Sequence, residues 1–168
     1  MVNKDIIKRI KKQDMEALIN WFSEREQKFY KVGWAFLHSH HDVEDVFHNT
    51  IIKVYENINQ LKKEQYFETW VTSIFMNECK AVYRKMQRNQ QEMPQVAATL
   101  PHEPELKMDI MNGVMLLEEP YKEVIILKFL SDFSQEEIAA LLQVPTGTVK
   151  SRIYRGLRLL RKELQKGE

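Results

Sequence analysis

Residues 134–164, SQEEIAALLQVPTGTVKSRIYRGLRLLRKEL, constrain the chain more than any other stretch, because they read as a short helix, a tight turn and a longer basic helix. Ser134 followed by Glu137 is a capping-box spacing: the hydroxyl accepts from an orphan amide of the first turn while the carboxylate reaches back to the cap. A helix is therefore predicted to start there, with Ile138, Leu141 and Leu142 on one face. Residues 143–146 break the run, since Pro145 disfavours helical geometry in the residue before it and suits the first turn of the next helix.

From Thr148 onward a wheel of about 100° per residue places Val149, Ile153, Leu157, Leu160 and Leu164 on one side. Ser151, Tyr154, Arg155, Arg158, Arg161 and Lys162 fall on the other, with Lys150 and Arg152 on the flanks. Residues 145–166 hold seven basic residues against one acid, Glu163, in a chain whose formal net charge is only +1. The positive potential is concentrated on this helix. A capped helix, a short turn and a basic second helix form a helix-turn-helix whose second helix suits a DNA major groove. Taken alone, the basic face also suits a solvated C-terminal helix.

At 168 residues the chain makes one domain or two small ones, and its 29% charged residues with only five Gly and five Pro fit an all-α protein. The single Cys79 forms no intramolecular disulfide and suits a reducing compartment. No N-terminal stretch resembles a signal peptide and no apolar run is long enough to span a bilayer. A cytoplasmic protein is expected.

Lys4, Lys8, Arg9, Lys11 and Lys12 dominate the start, as a nucleic-acid-binding arm or as a solvated helical turn. Residues 14–37 read as one long helix or one broken in two, with Met15, Leu18, Ile19, Phe22, Phe29, Val32, Gly33 and Phe36 at helical spacing and Trp21, Tyr30 and Trp34 enlarging the face. His38, His40, His41 and His48 invite a metal, but the HExxH spacing is absent and they read as loop histidines; no metal and no cofactor are expected. Asp42 can cap the next helix, DVEDVFHNTIIKVYENI, in which Val43, Val46, Phe47, Thr50, Ile51, Val54 and Ile58 face inward. Asp45, His48, Asn49 and Ile52 share another face, which suits a protein partner or solvent equally.

Residues 59–67 form a loop ending in Tyr66 and Phe67. Residues 68–90 then read as a long helix with Trp70, Val71, Ile74, Phe75, Cys79, Val82 and Tyr83 on a broad face. Lys80, Arg84, Lys85 and Arg88 follow without an intervening acid. Cations beside aromatics suit an unstacked strand, whose phosphates they hold while aromatic faces receive bases. A solvated helix end with Trp70 in the core is the alternative. Residues 91–107 contain three of the five prolines and read as a flexible linker. Residues 109–117 and 121–130, the second opened by Pro120, complete a small helical bundle with the helix-turn-helix.

Together these segments resemble a bacterial sigma factor of the extracytoplasmic-function (ECF) type, the compact members of the sigma-70 family. Residues 138–164 resemble its region 4, DVEDVFHNTIIKVYENI its region 2.2, and FETWVTSIFMNECKAVYRKMQR its regions 2.3 and 2.4. The resemblance implies two helical domains, 1–90 (region 2) and 108–168 (region 4), joined by 91–107. It implies a subunit that binds core RNA polymerase through the clamp helices and flap, directs it to promoter DNA and promotes melting. By position, Lys150, Ser151, Tyr154 and Arg155 match readers of the −35 element, with Thr148 beside them and Arg152 and Arg158 near the phosphates. Trp70, Asn77, Lys80 and Arg84 fall where the −10 element is contacted and melted, and Tyr66 and Phe67 border the loop that captures a flipped base. Asp45, His48, Asn49 and Ile52 match the face that docks on the clamp helices. His48 and Asn49 replace a common Gln-Glu pair, Ser73 a frequent Arg and Ala81 a frequent Asp.

The resemblance also implies an anti-sigma factor, usually membrane-bound. No catalytic constellation and no small-molecule substrate are expected. The competing readings are a stand-alone helix-turn-helix regulator, which would not need the first half of the chain, and a metal-dependent hydrolase built on the histidines.

Overall fold

A computed structural model describes residues 3–89 and 105–166, and the regular structure among them is entirely helical. The chain divides into two compact units, Met1–Met93 and Pro94–Glu168.

The first unit contains α1 (Lys4–Lys11), α2 (Met15–Ser23), α3 (Glu26–Leu37), α4 (His40–Asn57) and α5 (Phe67–Arg88). Side-chain caps start the first two: Asn3 accepts from the Asp5 amide at 3.0 Å and Asp14 from the Ala17 amide at 3.0 Å. The expected long helix over 14–37 is two helices. Residues 23–28 are all polar, so no apolar side chain holds the helical phase there, and Arg25 leaves helical geometry at φ −118°. Its guanidinium folds back, donating to the Trp21 carbonyl at 3.1 Å and lying 4.4 Å from the Trp21 ring centre. The buried line of α2 is consequently Ala17, Leu18, Trp21 and Phe22, whereas Met15 and Ile19, expected to face inward, are exposed.

An aromatic cluster forms the core. Trp21 meets Phe67 and Phe22 edge-on at centroid distances of 4.8 and 5.2 Å, and Phe29 meets Phe75 at 5.1 Å. Such pairs add about 0.5–1.5 kcal/mol to the area they bury. Around Gly33, α3, α4 and α5 converge: a Cβ there would lie 2.9 Å from Val43 Cγ1 and 3.1 Å from Phe75 Cζ, so only a hydrogen fits.

Ser39, not Asp42, caps α4. His38 ends α3 in the left-handed conformation (φ 48°, ψ 29°), one extended residue follows, and Ser39 Oγ accepts from the Asp42 amide at 3.3 Å. His40 and His41 therefore belong to the first turn of α4 rather than to a loop. His38 is buried with Nδ1 2.9 Å from the Trp34 carbonyl, and the His40 ring lies 4.7 Å from that of Trp34. The loop before α5 is built from two 3-10 turns, Ile58–Gln60 and Glu64–Tyr66.

The second unit contains α6 (Glu105–Met115), α7 (Glu119–Ile125), α8 (Gln135–Leu142) and α9 (Thr146–Lys166). Of the stretch 91–107 expected as a linker, residues 91–104 lie outside the described residues, and Glu105 already opens α6. Helix α7 runs on through a π-helical turn, Ile126–Leu130, closed by the Ser131 amide on the Ile126 carbonyl at 3.1 Å. Lys122 is buried in this unit, and burial lowers its ammonium to about 8 against a partial opposing pull from Glu119. Burial in the first unit pushes the Cys79 thiol upward, which keeps it unreactive. No helix among the described residues is long and apolar enough to cross a membrane.

Candidate nucleic-acid interface

Both halves of the predicted capping box are made. The Ser134 amide donates to Glu137 Oε2 at 2.8 Å, and the Glu137 amide to Ser134 Oγ at 3.2 Å. Helix α8 ends with Gln143 in the left-handed conformation (φ 54°), where the Val144 amide reaches the Ala139 carbonyl at 3.1 Å. Pro145 then opens α9, its carbonyl accepting from the Thr148 and Val149 amides at 2.9 and 3.2 Å. The second helix of the motif begins at Thr146, two residues before the sequence pattern suggested, because a proline-led first turn carries no apolar residue to mark it.

Val149, Ile153, Gly156 and Leu160 form the buried line of α9. Gly156 allows the close approach of α7, since a Cβ there would lie 3.0 Å from Ile125 Cγ1. With Gly156 in the buried line, the core face is centred so that Leu157 falls at its edge. Leu157, expected inside, is 42% exposed. Opposite the line, Lys150, Ser151, Tyr154, Arg155 and Arg158 are exposed, while Thr148 and Arg152 are half-buried on the flanks. Ser151 Oγ donates to the Thr148 carbonyl at 3.0 Å. The tyrosine ring is 69% exposed, an apolar surface set among cations.

Trp70, Asn77 and Arg84 recur at seven-residue spacing along α5 and lie within about 40° of one another, a row about 21 Å long. Asn77 and Arg84 are placed on the outer side of the helix with Trp70 and Lys80, which are half-buried on its flank. Tyr66, in the 3-10 turn just before α5, is 47% exposed. Its neighbour Phe67 is fully buried against Trp21. Phe67 thus offers no ring surface; it anchors the start of α5. Glu68 holds the same turn to α3 through Lys28 at 2.8 Å.

Asp45, His48, Asn49 and Ile52 lie together on the outer side of α4, with Ile52 52% exposed and His41 Nε2 3.4 Å from Asp45 Oδ2. Beside them lies a cavity of about 240 Å³ lined by Glu26, Tyr30, Val43, Glu44, Phe47 and His48. The sequence pattern missed it, because Tyr30 and Phe47 read as core residues and are only half-buried. Among the described residues no group of His, Cys, Asp or Glu could hold a metal ion.

A basic helix-turn-helix in one unit and a cationic, aromatic helix in the other are the surfaces that a two-part DNA-binding protein presents. The family described as Sigma-70 region 2 matches residues 21–89, and the family described as Sigma-70, region 4 matches residues 107–160. The chain is 30% identical to the ECF RNA polymerase sigma factor SigW of Bacillus subtilis (strain 168), the match covering 98% of both chains. Among solved structures it resembles CnrH in complex with the cytosolic domain of CnrY (TM-score 0.77, 19% identity, 97% of both chains). It also resembles the sigma factor RpoE in complex with the anti-sigma factor NepR from Bartonella quintana (TM-score 0.69, 22% identity, 87% of this chain and 97% of that one).

The chain belongs to the ECF sigma factors of the sigma-70 family. It acts with RNA polymerase in promoter-specific transcription initiation. Sigma factors in general are not enzymes, and the stand-alone regulator reading gives way to this one.

Proposed function

We propose that the two units divide promoter recognition between them, residues 1–90 serving as region 2 and residues 108–168 as region 4, with 91–107 as the link. The exposed cationic line of α9, opposite its buried line, carries this reading. Lys150, Ser151, Tyr154 and Arg155 read bases of the −35 element in the major groove, each good contact worth about 1–3 kcal/mol of discrimination. Thr148 lies beside them on the same element, and Arg152 and Arg158 hold neighbouring phosphates and add salt-dependent affinity. Trp70, Asn77, Lys80 and Arg84 receive the −10 element. Tyr66 stacks on a flipped base while Phe67 fixes the turn from beneath. Because α5 and the Tyr66 loop hold an unstacked strand better than duplex, binding shifts the equilibrium towards open DNA without any catalysis by the chain itself.

Asp45, His48, Asn49 and Ile52 dock on the clamp helices of core polymerase, and the second unit meets the flap. An anti-sigma factor covers these faces in the resting state. The complexes of CnrH with CnrY and of RpoE with NepR support that proposal. The working compartment is the cytoplasm.

Run-off transcription with bacterial core polymerase on a pool of promoter fragments from the chain's own genome tests the assignment. Transcripts from a defined subset are expected, and Arg155→Ala and Asn77→Ala should each reduce them about tenfold while core binding persists, the loss of one good contact. Wild-type transcription with both variants unimpaired would remove these residues from the interface.

A further inference from the structure

Helix α1 is not a loose basic arm. Ile7 and Ile10 are buried, Asn3 caps its start, and the turn after it is tied to α4 by Tyr55 Oη donating to the Gln13 carbonyl at 3.4 Å. It packs against both 3-10 turns of the loop that carries Tyr66. Lys11 Nζ lies 3.3 Å from Glu64 Oε1, two residues before Tyr66, joining α1 to that turn directly.

The charges on this wall are unevenly matched. Arg9 is engaged with Asp14 at 2.8 Å, and the Asp14 carboxyl is held below its usual range by the Ala17 amide first and by Arg9 second. Lys11 is engaged with Glu64. Lys4 and Lys8 share the Lys11 side of the helix, within about 60° of it at 100° per residue, and both are exposed with no acid partner among the described residues. Lys62 and Lys63 lie in the loop between the two turns that α1 contacts, exposed and likewise without an acid among the described residues. Asp5 is the one acid within α1.

We propose that Lys4 and Lys8 of α1, with Lys62 and Lys63 of the adjoining loop, form a phosphate-binding surface for the single strand whose base is captured at Tyr66. The proposal rests on the function assigned to Tyr66 and α5 and extends it to an element that none of the assigned DNA contacts involves. Lysines suit the task because a compact ammonium on a flexible stem follows a phosphate backbone without demanding a base sequence. The Lys4 to Lys11 row is about 10 Å long and ends at the turn beside Tyr66, so a strand held there runs on naturally along it. Acidic protein would also be attracted to this surface, but its continuity with the base-capture loop favours DNA.

The test is binding of a fluorescent single-stranded oligonucleotide, carrying the −10 sequence of a promoter the protein uses, to holoenzyme assembled from core polymerase and the full chain. Affinity is followed across a salt series for wild type, the double variant Lys4→Gln/Lys8→Gln, and Arg84→Ala. Each lost phosphate contact on a single strand reduces the slope of log K against log salt by about 0.7, so the double variant should be shallower by about 1.4. Base preference at the captured position should be unchanged, since phosphate contacts carry no sequence. An unchanged slope in the double variant, with Arg84→Ala still weakened, would overturn the proposal and leave the function of α5 intact. Loss of core affinity at unchanged strand binding would overturn it too, by assigning the lysines to polymerase. Failure of wild-type holoenzyme to retain the strand would remove the proposal and the reading of α5 together. The Lys4→Glu/Lys8→Glu variant should lose more affinity at low salt than the glutamine variant, and circular dichroism of both variants should match wild type because both side chains are exposed.

Discussion

Lys122 is the residue whose environment departs furthest from what its type prefers. An amine this buried favours its neutral form, so its folded value of about 8 lies below the unfolded 10.5. Between those values the unfolded chain binds more protons than the folded one, and stability rises with pH across that window. Below about pH 8 the amine is charged in both states and its burial opposes folding in full. The second unit should therefore gain stability relative to a Lys122→Met variant as pH rises from about 8 to about 10, by at most about 3 kcal/mol. Thermal unfolding of both proteins at about pH 7, 8, 9 and 10 checks this: the difference in midpoints should change steadily, and a constant difference would show that the amine does not titrate there. Nothing in the sequence marked Lys122, because a single cation on a short amphipathic helix reads as exposed until the packing of α7 is known. Leu157 failed to follow its pattern for the same reason: one apolar residue at the edge of a stripe goes in or out according to which neighbour approaches, and Gly156 decided it for α9.

Elements were more legible than residues where a local chemical signal set their ends. The Ser134 and Glu137 spacing placed the start of α8, whereas Asn77 entered the reading of α5 only through the family resemblance. Starts and breaks without such a signal were not located. The interruption between α2 and α3 has no Gly or Pro to announce it, only the polar run and the Arg25 guanidinium returning to Trp21. At α4 the sequence suggested Asp42 as the cap, and the left-handed end of α3 at His38 put Ser39 there instead. A cap is also where an element can be tested by itself. Ser134→Ala leaves the Glu137 amide without its acceptor and should cost the second unit about 1 kcal/mol, with Ser134→Thr close to wild type. Denaturant unfolding measures the cost. Since α8 braces the start of α9, promoter transcription at a temperature near the midpoint should fall in the alanine variant and recover on cooling. Loss that persisted on cooling would mean that Ser134 itself touches DNA or polymerase.

At the scale of the whole molecule, charge distribution and connectivity argue together. The chain carries a net charge of only +1 although residues 145–166 are strongly basic, so the remainder is net acidic and the free protein has little long-range attraction for DNA. On the proposed division of roles, each unit alone offers a modest surface, one to duplex and one to an unstacked strand. If the stretch 91–107 leaves the two units free of each other, the second surface has only a low effective concentration at its site once the first is bound. Core polymerase, by fixing the spacing of the two units, would hold the second surface at its site and raise its effective concentration there, which raises affinity without any new contact. At physiological salt the free chain should therefore bind a complete promoter weakly and with little regard to sequence, whereas holoenzyme should bind it tightly and specifically. Changing the distance between the −35 and −10 elements by a few base pairs separates fixed spacing from simple allosteric activation: the gain on adding core should collapse, while the weak affinity of the free chain should not change. Tight, specific and spacing-dependent binding by the free protein would mean that its own fold already fixes the two units, leaving polymerase no part in setting their separation.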